Sequence, residues 1–91
     1  MKRIAVLPLF ERSLKELNKP DRERVSEAIE QFGSFVYSGV IVAGLGFKKL
    51  AEDIYEFRAG LKLRILVYEE SNIYYLVLAG NHEQIKRYLR K

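Results

Sequence analysis

Apolar positions along this chain recur with two different periods. In FERSLKELN, Phe10, Leu14 and Leu17 share one stripe at helical spacing, and Pro8 suits the first turn of that helix. Asn18 reads as the end of this helix, and Lys19-Pro20 restarts a second. Its stripe is Val25, Ala28, Ile29 and Phe32 with Phe35 or Val36, while Asp21, Arg22, Glu23, Glu27 and Glu30 face water. The pair predicts an antiparallel helical hairpin. Runs rich in Ile, Val, Leu and Tyr predict strands over Lys2–Leu7, Ile54–Arg58, Leu61–Glu69 and Ile73–Ala79. Asn81 stands where it can cap a short last helix through HEQIKRYLRK, whose apolar positions are Ile85, Tyr88 and Leu89. The order strand, helix, helix, strand, strand, strand, helix predicts an α+β fold: a small antiparallel sheet with the helical hairpin on one face.

The stretch SGVIVAGLGF, residues 38–47, fits neither period. It admits three readings: a strand fragment, a buried crossover, or a loop packed on the sheet edge. Gly39 and Gly44 have the spacing of a phosphate-binding loop, but Leu45 stands where the lysine belongs, and GLGFKK has no following Ser or Thr. The glycines therefore read as backbone geometry.

If Ser71-Asn72 is the centre of a tight hairpin, Glu70 pairs with Ile73, Tyr68 lies opposite Tyr75 and Arg64 opposite Ala79. One face then carries Leu63, Ile65, Val67, Tyr74, Leu76 and Leu78, which the helical stripes can cover. The other carries Lys62, Arg64, Leu66, Tyr68, Tyr75, Val77 and Ala79, and is expected to be open. Basic and aromatic groups on an open sheet face suit phosphate neutralisation and base stacking. In this register Arg64 approaches His82, just past the strand end. Either the two form a site, or His82 is a polar residue of the last helix and Arg64 pairs with a glutamate.

Composition narrows the chemistry. At 91 residues the chain is expected to form one domain, residues 1–91, with no deep substrate cavity. It has no cysteine and one histidine, which removes disulfides, thiolate nucleophiles and ordinary zinc sites. No metal or small-molecule cofactor is expected. No apolar run approaches the roughly 20 residues of a membrane span, and charge at Glu11 and Arg12 follows too soon after the first apolar stretch for a secretory signal. A cytoplasmic protein without a membrane partner is expected. The net charge is +4, and the excess is uneven: seven Lys/Arg against six Asp/Glu over residues 1–47, nine against six over 48–91. An anionic partner is expected to favour the second half.

The stretch LGFKKLAEDIYEFRAGLKLRILVY, followed by YYLVLAGNHEQIKRYL, resembles the RelE/ParE superfamily of toxins from type II toxin–antitoxin pairs. The resemblance covers most of the chain. It rests on the order of elements, KKL before the second strand, YEFRAG leading into the third, the arginine and VY within it, and the histidine near the end of the last. It implies a RelE-like fold, a cognate antitoxin protein as partner and, in the favoured RelE-like branch, a metal-independent, ribosome-associated endoribonuclease that cleaves mRNA. ParE-like members instead inhibit DNA gyrase without nuclease activity, and a third kind of relative only binds antitoxin. By motif position the resemblance assigns catalysis to Arg64, His82, Lys48, Lys49 and Tyr88. Arg58, Lys62, Tyr68, Tyr75, Lys86 and Arg87 are the further candidates for contact with nucleic acid. The sequence departs from the pattern twice: the usual His-Arg reads His82-Glu83, and the segment from Gly60 to Arg64 is one residue longer.

Overall fold

A computed structural model describes residues 2–90 of the chain. The elements follow in the order β1 (Arg3–Val6), α1 (Pro8–Lys15), α2 (Lys19–Ser38), β2 (Lys48–Ala51), β3 (Ile54–Ala59), β4 (Leu63–Glu70), β5 (Ile73–Asn81) and α3 (His82–Leu89). The expected α+β architecture is present, with two refinements. The sheet has five strands in the order β1-β5-β4-β3-β2, because Lys48–Ala51 pairs with β3. It is also mixed, because β1 runs parallel to β5, pairing Ile4 with Tyr74 and Val6 with Leu76. The helical hairpin carries the chain from β1 to β2, the two edge strands of the sheet. Lys91, which closes the expected last helix, lies outside the described residues.

Local sequence explains the boundaries. Asn18 caps the second helix rather than ending the first: its side-chain oxygen accepts from the Asp21 N–H at 2.9 Å. Gly39 ends α2 in the left-handed conformation at φ 79°, which a residue with a Cβ adopts at a cost. Asn81 caps α3 in a complete capping box, with Gln84 reaching back to the Asn81 N–H. Ser71 and Asn72 hold φ 53° and 64°, the two positive values of a primed two-residue turn, and Glu70 faces Ile73 as expected. Ser38 closes α2, and residues 39–47 form the loop packed on the sheet edge: Leu45 is buried, and its carbonyl accepts from the Arg58 N–H at 2.8 Å just before β2 begins.

Both helices of the hairpin cover one face of the sheet. Phe10 and Leu14 from α1 and Val25, Ala28 and Phe32 from α2 pack on Phe57, Leu63, Ile65, Val67 and Leu76. Phe32 stacks on Phe57 with ring centroids 4.4 Å apart, and Phe47, Tyr55 and Tyr74 extend the aromatic cluster toward the β2 side. Apolar burial of this kind contributes roughly 25 cal/mol per Å², which makes this layer the main source of stability.

The expected register holds from the turn to Val67, which faces Leu76, and then shifts by one residue. Leu66 lies opposite Leu78, Ile65 opposite Ala79 and Arg64 opposite Gly80 rather than Ala79. A β-bulge at Val77 absorbs the extra residue. Val77 and Leu78 consequently sit together on the face away from the helical hairpin, and Ala79 turns into the main core. This reverses the expected sides of Leu78 and Ala79. The second face is also not open throughout: Leu66, Val77 and Ile85 form a buried cluster beneath α3, joined at its margins by Leu7, Leu9, Leu50 and Ile54. The amphipathic stripe of α3 needs apolar surface to bury, and the bulge supplies two consecutive aliphatic residues under it.

Candidate nucleic-acid interface

The helix α3 divides the second sheet face into two regions. At its N-terminal end Arg64 on β4 lies level with Gly80 on β5 and with Arg58 on β3. Lys48, Glu56 and Leu66 are level across β2, β3 and β4, one step along. Lys48 and Arg64 thus flank a single carboxylate on the strand between them. The Glu56 side chain is only 5% exposed, and its Oε2 stands 3.7 Å from Lys48 Nζ and 3.8 Å from Arg64 Nε. These separations are ion-pair contacts too long for hydrogen bonds. Arg64 Nε is buried with no hydrogen-bond partner among the described residues. The stem of Arg58 lies along the Gly46 backbone, where an added Cβ would come 3.1 Å from Arg58 Cδ.

His82 is the exposed first residue of α3, two positions beyond the glycine that faces Arg64. The glycine matters because a Cβ at position 80 would fall 2.7 Å from Gln84 Oε1, inside the capping box that starts the helix. The structure therefore brings Arg64 and Lys48 to one patch, with His82 at the neighbouring helix start, while the Arg58 side chain lines a cleft with Arg24, Glu27 and Gln31 of α2. An arrangement of fixed guanidinium and ammonium groups beside an imidazole can bind a phosphodiester, stabilise added negative charge on phosphorus and transfer protons.

The other sequence candidates lie elsewhere. Lys49 alternates to the opposite side of β2, level with Tyr55, and pairs with Glu52 at 3.7 Å. Lys62 sits in the exposed turn between β3 and β4, beside a cleft that Asn18, Asp21 and Arg24 also line. Tyr68 and Tyr75 do face each other, stacked with centroids 6.4 Å apart, but four residues along β4 from Arg64, a distance of about 13 Å at strand rise. The Tyr68 hydroxyl donates to Glu70 at 2.9 Å, and this bond holds the phenol above its ordinary titration range. Tyr88 is at the same far end, where it lines an apolar groove of about 250 Å³ with Leu7, Ile54, Leu66, Val77 and Leu89. Lys86 and Arg87 are exposed along α3.

Glu56 is the glutamate with which the second sequence reading paired Arg64 without naming it. A second polar cluster, on the helical-hairpin side, is structural: Lys2 pairs with Glu69 and lies 5.5 Å over the Tyr74 ring, tying the N-terminal strand to β4 and β5. The Lys2 ammonium holds the Glu69 carboxyl below the usual carboxylate range, and Glu69 raises Lys2 in return. Burial, followed by the bond to Glu69, pushes Tyr55 up.

Five mixed strands, a helical hairpin on one face and a short helix across the other define a small α+β protein with a cationic patch at one end of its second face. Solved structures similar to it include toxins. A copper-bound mutant toxin from Helicobacter pylori superposes with a TM-score of 0.72 at 13% identity, covering 93% of this chain and 99% of that one. The toxin chain of the RelB–RelE antitoxin–toxin complex from Methanococcus jannaschii gives 0.66 at 20% identity over 92% and 96%. That of the E. coli DinJ–YafQ complex gives 0.69 at 9% identity over 93% and 98%. No protein-family model and no curated protein matches the chain. The chain has the RelE-like toxin fold.

Proposed function

We propose that this protein is the toxin of a toxin–antitoxin pair and acts as a metal-independent endoribonuclease on mRNA at the ribosome. The observation that carries the reading is the partly exposed Arg64 guanidinium, held beside Lys48 across a buried carboxylate, with His82 at the adjoining helix start. In the reaction the ribose 2′ oxygen attacks the adjacent phosphorus as a base takes its proton. The P–O5′ bond breaks as an acid protonates the leaving oxygen, giving a 2′,3′-cyclic phosphate and a 5′-hydroxyl. Arg64 neutralises the charge that develops on the non-bridging oxygens, a task for which a permanently charged, forked group is suited. In this reading His82 and Lys48 transfer the protons.

The antitoxin reading draws on the apolar groove beneath the C-terminal end of α3, on exposed Tyr88 and Leu89 beside it, and on the net charge of +4. An acidic segment that is disordered alone and folds on this surface would bury the groove and neutralise the basic patch. No helix among the described residues is long and apolar enough to cross a membrane, and the proposed place of action is the cytoplasm. Primer extension on mRNA in programmed ribosomes, run beside a DNA-supercoiling assay, tests the activity. Cleavage with supercoiling untouched is the expected result, and gyrase inhibition without cleavage would overturn it. Co-expression with a small acidic protein encoded by the neighbouring gene tests the partner: the two should purify together.

A further inference from the structure

Glu56 is the only buried charged residue among those described, at 4% exposure in the middle of β3. A carboxylate taken from water needs partners close at hand, and an arrangement built for stability alone would close a hydrogen-bonded fork with the arginine. Here one oxygen, Oε2, faces both cations at 3.7 and 3.8 Å, and neither contact is a hydrogen bond. The carboxylate orients Lys48 and Arg64 by charge without taking a hydrogen bond from either.

We propose that Glu56 is a positioning residue of the phosphate site: its carboxylate turns Arg64 and Lys48 toward one point and releases both to an incoming phosphodiester. The inference rests on the reading of this face as a ribonuclease site. At 5% side-chain exposure Glu56 is too enclosed to meet the substrate itself, so it acts through the two cations. Two consequences oppose each other. The negative charge repels the phosphate and weakens binding, while the fixed geometry accelerates the reaction by presenting both cations already aligned.

The opposition separates this role from a merely structural one. Glu56→Gln keeps the side chain's size and removes its charge. It should bind a single-stranded RNA whose cleaved position carries 2′-deoxyribose more tightly, by about three- to tenfold. Its cleavage rate should nevertheless fall, by about ten- to a hundredfold. Glu56→Asp restores the charge on a shorter arm, so binding should return to the wild-type level while cleavage recovers in part. Equal binding and cleavage by Glu56→Gln and wild type would overturn the proposal. So would a parallel loss of both together with a lower Tm, which marks a fold-supporting residue. If the Gln variant does not fold, the Asp variant decides: wild-type binding with slowed cleavage supports the role, and unchanged cleavage removes it. If wild type cleaves nothing, the ribonuclease reading has failed. The binding comparison then stands alone: tighter RNA binding by Glu56→Gln and loss of binding by Arg64→Ala uphold Glu56 as the organiser of an anion site, and equal affinities reject it.

Discussion

The hydroxyl of Ser13 on α1 accepts a hydrogen bond from the Ala79 N–H at 3.0 Å and donates its own proton to the Phe10 carbonyl at 2.8 Å. Ala79 lies two residues beyond the bulge at Val77, in the part of β5 that faces Ile65 and leads to Gly80. Ser13 thus ties the first helix to the register that sets Gly80 opposite Arg64. Ser13→Ala should lower stability by about 1–2 kcal/mol, the usual consequence of leaving a partly buried donor without its acceptor. Urea unfolding should show a reduced midpoint with an unchanged slope.

Arg64→Ala should slow mRNA cleavage by roughly a hundred- to a thousandfold, by analogy with removing one donor from a site that stabilises transition-state charge. Glu56 keeps Lys48 at 3.7 Å, so the carboxylate is not left alone and the variant should fold. Single-turnover cleavage beside circular dichroism checks both halves. Wild-type cleavage by Arg64→Ala would remove this residue from the site.

His82→Ala should slow cleavage by about a hundredfold if the imidazole transfers a proton. Its effect on stability should be within about 0.5 kcal/mol, since the side chain is exposed and the helix cap is supplied by Asn81 and Gln84. Antitoxin co-purification should be unchanged. A rate loss accompanied by an equal loss of partner binding would point to a contact residue instead.

How far these sites were legible in sequence depended on whether the signal was local. The helical stripes of Val25, Ala28 and Phe32, the Ser71-Asn72 turn and the Asn81 cap each depend on neighbours in sequence, and each stands where the pattern put it. The bulge at Val77 does not: inserting one residue into a ladder leaves the aliphatic pattern LVLA unchanged, so Leu78 and Ala79 were assigned to the wrong faces. Nor could the pattern show where α3 docks. Its stripe of Ile85, Tyr88 and Leu89 was visible, but the Leu66–Val77 surface that receives Ile85 became apparent only with the bulge in place. Glu56 went unnamed for a related reason. An acid inside an alternating strand reads as solvent-facing, and its burial follows from β2, whose four residues KKLA carry a weak strand signal. Lys48 and Lys49 are adjacent and chemically equivalent in sequence, yet the pleat sends them to opposite faces.

The Lys2–Glu69 pair predicts a specific pH dependence of stability. Glu69 titrates below its usual range in the folded state because of Lys2, so its stabilising contribution is present above the unfolded-state value and is lost as pH falls through the depressed one. Lys2 is raised by Glu69, so its contribution is present below the unfolded-state value and is lost as pH rises through the folded one. Across the neutral range both members are charged. In Lys2→Ala the difference from wild type should therefore be constant near neutrality and shrink toward zero as Glu69 protonates. Urea midpoints measured from about pH 7 down to about pH 3 check this, a range that brackets ordinary carboxylate titration. A difference that stayed constant to the acid end would show that Lys2 stabilises the edge strand by packing on Tyr74 alone.

Gly80→Ala tests whether the start of α3 is held to the sheet by the absence of a side chain. A Cβ there would lie 2.7 Å from Gln84 Oε1 and 3.1 Å from Gln84 Cβ, so Gln84 must swing away and release the Asn81 N–H that it accepts at 2.7 Å. Position 80 is in ordinary extended backbone, so the cost comes from the contact and the broken capping box rather than from strain. Capping losses run at about 0.5–2 kcal/mol. The effect should be regional. Hydrogen exchange should accelerate in α3 and at Leu66 and Val77 beneath it, while the aromatic core around Phe32 and Phe57 stays protected. Cleavage should fall more than global stability does, because His82 begins the loosened helix while Arg64 stays anchored to β4 and Glu56. A uniform loss of protection across the whole sheet would instead make α3 and the five-stranded core one cooperative unit.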